Sequence, residues 1–214
     1  MPALFGTAAP KSPKSPNATA ARLRLASSLL PHLPPGCVEA AIDAALRHAA
    51  GAATPTRDVR ALLAPMLRDL GAISAVSRTI SAARFVVSER LLLTRVLPPR
   101  VIPYIVDLLG ADECDSGKES LLLRGMRGVV ATWTTSGHVA RASLPQQRHL
   151  SSALTLGLSA LSRDEACTLV TPLLKGVQVH LQSPSEPVRR LGMKVAEVVS
   201  AVVDPENPLR FDVN

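Results

Sequence analysis

Apolar residues recur along most of this chain at the three- and four-residue spacing of helices buried on one face. The pattern is cleanest near the C-terminus. On a helix turning about 100° per residue, Val188, Leu191, Gly192, Val195, Val198, Val199, Val202 and Val203 share one face. Arg189, Arg190, Lys194, Glu197 and Ser200 fall on the other, with Met193 among them. Two starts fit this helix. Ser183 can cap it, with Pro184 in first position and Glu186 three residues on, or Ser185 can, with Pro187 in the first turn. Asp204-Pro205 and Asn207-Pro208 stop it.

Upstream, the same spacing predicts a series of helices: Ala20 to Leu30, Cys37 to Ala50, Thr56 to Leu70, Ala72 to Arg84, Phe85 to Leu97 and Arg100 to Leu109, punctuated by Pro and Gly. Phe85 to Leu97 carries two apolar triplets that also suit a strand; its helical neighbours favour helix. Asp112 to Gly117 reads as a turn. Ser116-x-x-Glu119 then opens a helix to about Trp133, Ser143-x-x-Gln146 one to about Leu161, Ser162-x-x-Glu165 one to about Leu181, and Ser183-x-x-Glu186 the last. Each has the spacing of a capping box, in which the Ser hydroxyl and the third residue's side chain reciprocally satisfy end N–H groups. Ser143 to Ser183 covers about 40 residues and two helices, the period of a HEAT-type unit. The fold expected is all-α: a HEAT-like helical-repeat solenoid over residues 21–214 behind a disordered basic arm, residues 1–20.

Composition supports helix over sheet, since Phe5, Phe85, Tyr104, Trp133 and Phe211 are the whole aromatic set. No apolar run reaches the length of a membrane span. Cys37, Cys114 and Cys167 are widely spaced and form no C-x-x-C pair, as expected of reduced thiols. The arm holds Lys11-Ser12-Pro13-Lys14-Ser15-Pro16, too polar and Pro-rich to bury a core, with Ser12 and Ser15 as Ser-Pro phosphorylation candidates. Its lack of acidic residues also fits an organelle transit peptide; an ordinary tail is the favoured reading, because only Arg22 and Arg24 supply the expected arginines. A net charge of +7 is compatible with an Arg-rich protein surface or with nucleic-acid binding. The basic residues are dispersed, with no aromatic set between them for base stacking.

The C-terminal stretch also carries a resemblance. Pro187-Val188-Arg189-Arg190-Leu191-Gly192-Met193, then Val195-Ala196-Glu197-Val198-Val199-Ser200-Ala201, then Pro205-Glu206 and Pro208-Leu209-Arg210-Phe211, resemble a segment of the telomere length regulation protein family. A looser likeness extends upstream through Leu144-Pro145-Gln146-Gln147-Arg148 and Leu173-Leu174-Lys175-Gly176. The resemblance implies a non-enzymatic scaffold, in cytoplasm and nucleus, with telomeres a further site. It implies assembly with other helical-repeat subunits into a co-chaperone complex that matures phosphatidylinositol-kinase-related kinases. It also implies links to telomere maintenance, DNA-damage signalling and TOR signalling. Family members are several times longer, and their acidic linker to the chaperone machinery lies beyond the matched segment. This chain reads as a fragment of such a protein, an incomplete gene model or a short paralogue, so chaperone-adaptor binding is not carried over. The alternative reading is direct binding of telomeric DNA.

No catalytic, cofactor or metal constellation emerges. His32, His48, His138, His149 and His180 are scattered, with no i, i+4 pair, and read as surface or helix-end residues. Gly125-Met126-Arg127-Gly128 lacks the Lys-Ser/Thr of a phosphate loop and reads as a close helix contact. Asp112-Glu113-Cys114-Asp115 lacks the alternation of a calcium loop, and no G-x-S-x-G occurs. The candidate site is therefore a partner surface on the last helix: Met193, ringed by Arg189, Arg190, Lys194 and Glu197. Lys194 and Glu197 have the i, i+3 spacing to pair with each other. Gly192, on the apolar face, costs about 1 kcal/mol against Ala, which points to close approach by a neighbouring helix.

Overall fold

Side chains at helical spacing bury one stripe each, and the stripes meet as a stack. The computed structural model describes residues 32–51, 56–64, 67, 81–111 and 119–211. Among these, every regular element is helical: α1 (Pro35–Gly51), α2 (Thr56–Leu63), the π-type α3 (Val86–Thr94), α4 (Ile102–Gly110), α5 (Leu121–Trp133), α6 (Ser136–Arg141), α7 (Leu144–Ala160), α8 (Arg163–Leu181) and α9 (Glu186–Val203). Helix α5 packs on α3, α7 and α8; α7 packs on α4 and α5; α9 lies against both α7 and α8. One apolar cluster runs through them, from Val38 and Leu46 past Leu91, Ile105, Met126 and Trp133 to Leu173, Val195 and Val199. At the other end of the stack, Glu39 and Asp43 of α1 share Arg47, Arg90 and Arg95 in an exposed ionic network that bridges to α3.

The all-α reading holds, and several boundaries move for physical reasons. Helix α2 spans Thr56–Leu63, and in the turn that follows Leu67 N–H donates to the Ala64 carbonyl at 2.9 Å; the rest of the expected stretch to Leu70 lies outside the described residues. Residues 81–94 form a continuous helical run, with no break between Arg84 and Phe85. From Val86 it widens to π geometry, where the Ser88 and Thr94 hydroxyls donate to the Arg84 and Arg90 carbonyls and compete with backbone N–H groups. Helix α5 is capped by Ser120, not Ser116: the Ser120 hydroxyl accepts from Leu123 N–H at 3.1 Å. The last helix takes the second of its two frames. Ser185 is its N-cap residue, with Pro187 in the first turn, and Ser183 caps Ser185 N–H instead of forming a box with Glu186.

Two expected boxes remain. Ser162 and Glu165 form the full reciprocal box of α8. Ser143 caps α7 through Gln146 N–H, but the Gln146 amide reaches across to the Leu93 carbonyl at 2.9 Å, so that box is one-sided. Helix α6 was not foreseen; Thr135 caps it, and Val139 is its buried residue. A short helix before two long ones gives α6, α7 and α8 the outline of a three-helix armadillo-type unit rather than a two-helix HEAT pair. The basic arm, the helix at Ala20 to Leu30 and the turn at Asp112 to Gly117 lie outside the described residues.

Candidate functional site

The inner face of α9 is fixed first. Gly192 lets the helix approach α8 so closely that a Cβ there would lie 2.7 Å from the Cβ of His180. His180 is fully buried and stacks on Trp133, with ring centroids 3.9 Å apart and 15° between planes. Trp133 Nε1 donates to Ser151 Oγ of α7 at 3.0 Å, so one chain of contacts joins α9, α8, α5 and α7. His180 Nδ1 lies 2.9 Å from the Gly176 carbonyl. A carbonyl only accepts, so Nδ1 carries the proton and Nε2 is left a bare acceptor, without a partner. Burial pushes the pKa of His180 below its ordinary value, and the nearby His138 lowers it further. His149 is likewise buried, its Nε2 bonded to the Leu92 carbonyl at 3.0 Å and its pKa lowered by burial. The expectation that all five histidines sit at surfaces or helix ends is thus wrong for His149, buried inside α7; His180 does sit in the last turn of α8, but fully buried rather than at a surface. Both lie on faces that meet another helix, which a single helix's pattern does not reveal.

The five candidate residues on the outer face have different environments. Arg189 turns back and donates to the carbonyls of Ser183 and Pro184, at 2.9 and 3.0 Å, closing the α8–α9 corner. Arg190 pairs with Glu186 one turn earlier. Met193 is half-buried at the edge of the inner face, while Lys194 is exposed. Glu197 does not pair with Lys194. Its Oε1 accepts instead from Phe211 N–H at 2.8 Å, and one turn on Ser200 Oγ accepts from Leu209 N–H at 2.8 Å. The segment after α9 therefore runs back along the helix toward the turn that carries Met193, and Phe211 packs against the core.

On the opposite edge of α9, Glu186, Pro187, Arg190, Leu191 and Lys194 form one wall of an open groove of 560 Å³. Arg148 of α7 faces them across it. As groove residues, sequence reasoning missed Arg148, Pro187 and Leu191. Arg148 stands far from α9 in the chain, and only the packing of α7 on α9 brings it there. No group of three or more metal-ligating side chains occurs among the described residues, and no described helix is long and apolar enough to cross a membrane.

Comparison with known proteins gives these elements a context. The family model for the TELO2 ARM repeat domain matches residues 72–214, which takes in α3 to α9. The telomere length regulation protein TEL2 homolog of Homo sapiens is 41% identical over 135 residues, 60% of this chain and 16% of that protein. The homolog of Mus musculus is 34% identical over 169 residues, 72% of this chain and 20% of that protein. The homolog of Xenopus laevis is 31% identical over 105 residues, 47% of this chain and 13% of that protein. The chain thus matches a fifth or less of these relatives' length. No solved structure matches it.

Proposed function

The chain belongs to the TELO2 ARM repeat family of telomere length regulation proteins, and from that premise we propose that it is a non-enzymatic scaffold for protein assembly. The observation that carries the reading is the coincidence of the family match with the helical stack, an architecture that offers long surfaces. Its partners on this reading are other helical-repeat subunits of a co-chaperone complex and, through them, phosphatidylinositol-kinase-related kinases as clients. It acts in the cytoplasm and nucleus and bears on telomere maintenance, DNA-damage signalling and TOR signalling. The domain on this reading runs from residue 21 to 214, with residues 1–20 as a separate arm.

The partner surface is the outer side of α9, around Arg189, Arg190, Met193, Lys194 and Glu197. Half-buried Met193 offers an adaptable apolar side chain amid charges, the arrangement of a small interface centre with a polar rim. The test is co-purification of the chain from cells, wild type beside Met193→Glu, with a melt of each purified protein. Helical-repeat subunits should accompany the wild type and be depleted with the variant, while the variant's melting midpoint stays within a few degrees. Absence of such subunits from the wild-type preparation refutes the scaffold role. An undiminished set with a normally folded variant removes Met193 from the surface.

A further inference from the structure

We infer that the groove between α7 and α9 binds a short acidic segment of a partner polypeptide, extended and carrying one apolar side chain. This rests on the scaffold reading of α9 and names the chemistry that one edge of it recognises. Three cations line the groove, Arg148, Arg190 and Lys194, against one carboxylate, Glu186. Glu186 is engaged by Arg190, its neighbour one helical turn on. Arg148 and Lys194 face the groove from opposite helices, and no described carboxylate pairs with either. The cations near α1 differ, since Arg47, Arg90 and Arg95 are all held by Glu39 and Asp43. The groove thus has two positive charges to spare, and charge complementarity selects an anionic occupant.

Shape selects a peptide among anions. Glu186 to Lys194 span about 12 Å of helix axis, which an extended strand covers in about four residues. Pro187 and Leu191 add apolar lining among the charges, suited to one aliphatic side chain. A nucleic-acid strand finds no aromatic ring to stack on here, and the Glu186 carboxylate repels its phosphates. The occupant is therefore an Asp/Glu-rich segment with a single Leu- or Ile-like anchor.

The test is fluorescence anisotropy of the full chain with a labelled Asp-Glu-Leu-Asp-Glu peptide, the same peptide with Leu replaced by Ser, and a single-stranded oligonucleotide. Arg148→Glu/Lys194→Glu should weaken binding of the Leu peptide at least tenfold, since one exposed charge pair is worth up to about fivefold. Arg124→Glu/Lys175→Glu changes the net charge equally at exposed positions outside the groove and should leave affinity within twofold. The Ser peptide should bind more weakly than the Leu peptide. The inference is overturned if the peptide does not bind, if both double variants weaken it equally, or if the oligonucleotide binds as tightly and is lost with the same groove variant. Failure of the two readings is distinguishable. Wild-type co-purification without peptide binding removes the groove and leaves the scaffold, whereas groove-dependent peptide binding without co-purified subunits does the reverse.

Discussion

Gly192 is the position where a single methyl group should measure how closely α8 and α9 are locked. Replacing it with Ala places a Cβ 2.7 Å from His180 Cβ and 3.7 Å from the Leu181 backbone nitrogen. Carbon atoms prefer about 3.5–4.0 Å, and a Cβ cannot rotate away, so the two helices must part by about 1 Å. That movement also disturbs the Trp133–His180 stack and the buried Val188, Val195 and Val199 on the same face. Overpacking of this kind costs about 1–3 kcal/mol. Ala recovers about 1 kcal/mol of helix propensity over Gly. The net loss is about 1 kcal/mol for Gly192→Ala, and about 2 kcal/mol or more for Gly192→Leu, which adds three further carbons at the same point. In a domain of this size 1 kcal/mol shifts the midpoint by about 2–4 °C. Thermal melts by circular dichroism should therefore rank wild type above Gly192→Ala above Gly192→Leu. Gly128→Ala is the control, because its new Cβ meets only the tip of Leu93, at 3.3 Å, and that methyl can rotate. It should melt at or above the wild-type temperature. If Gly192→Ala behaves like Gly128→Ala, the close helix approach is absent and the reasoning fails.

Other expectations concern charge and the chain's ends. Glu165→Ala should destabilise by about 1–2 kcal/mol, because its carboxylate accepts from Ser162 N–H and from the hydroxyls of both Ser162 and Ser120, joining the starts of α8 and α5; denaturant titration checks it, and an unchanged midpoint refutes the clamp. His138, His149 and His180 have folded pKa values lowered from 6.5 by burial, so below pH 6.5 the unfolded chain takes up protons before the folded one. Stability should be full above pH 6.5 and fall as pH drops below it, by at most about 1.4 kcal/mol per pH unit for each histidine; melts that are flat or rise from pH 6.5 to 5.5 would contradict this. Glu165 has a depressed pKa, caused first by the Ser120 hydrogen bond, and its share of stability should persist in that window and be lost progressively as pH falls from its ordinary 4.5 through its lower folded value. Removing residues 1–18 should leave the helical spectrum and denaturant midpoint unchanged, since that stretch has no apolar periodicity with which to dock.

What the chain makes legible is what its neighbours in sequence decide. The Ser162–Glu165 box closes within four residues, so its spacing is enough to find it. The long helices α7, α8 and α9 announce themselves by repeated apolar positions. Where two local solutions compete, the pattern falls short. Ser116 and Ser120 both precede the Leu121–Leu123 run, and the cap falls where burial of Leu121 begins. Helix α6 is too short for a period, and Val139 alone anchors it. The π geometry of α3 comes with hydroxyl bonds from Ser88 and Thr94 to main-chain carbonyls, which no spacing of apolar residues announces. Gly192 could be read as a close approach, but its partner His180 could not, and neither could the stacking of His180 on Trp133. The candidate face was legible as a ring of charges around Met193. That Arg189 and Glu197 tie down the corner before α9 and the segment after it was not.

These ties bear on what α9 can do. Binding a short segment is favoured when the groove is formed beforehand, because ordering mobile walls subtracts from affinity. Each wall here is held by contacts that leave its cations untouched. Helix α7 is anchored on both sides of Arg148: Gln146 donates to the Leu93 carbonyl and His149 to the Leu92 carbonyl, at the end of α3 where main-chain acceptors lack helical partners. Gln147 donates to the carbonyls of Val139 and Ala142, fixing the turn from α6. Helix α9 is set against α8 by Gly192 and at its start by Arg189. Arg148 and Lys194 thus project from two backbones whose spacing the interior decides. Substitutions in the two places should separate cleanly. Interior changes such as Gly192→Leu should alter stability and the groove together, whereas Arg148→Glu/Lys194→Glu should alter binding while the melting midpoint holds.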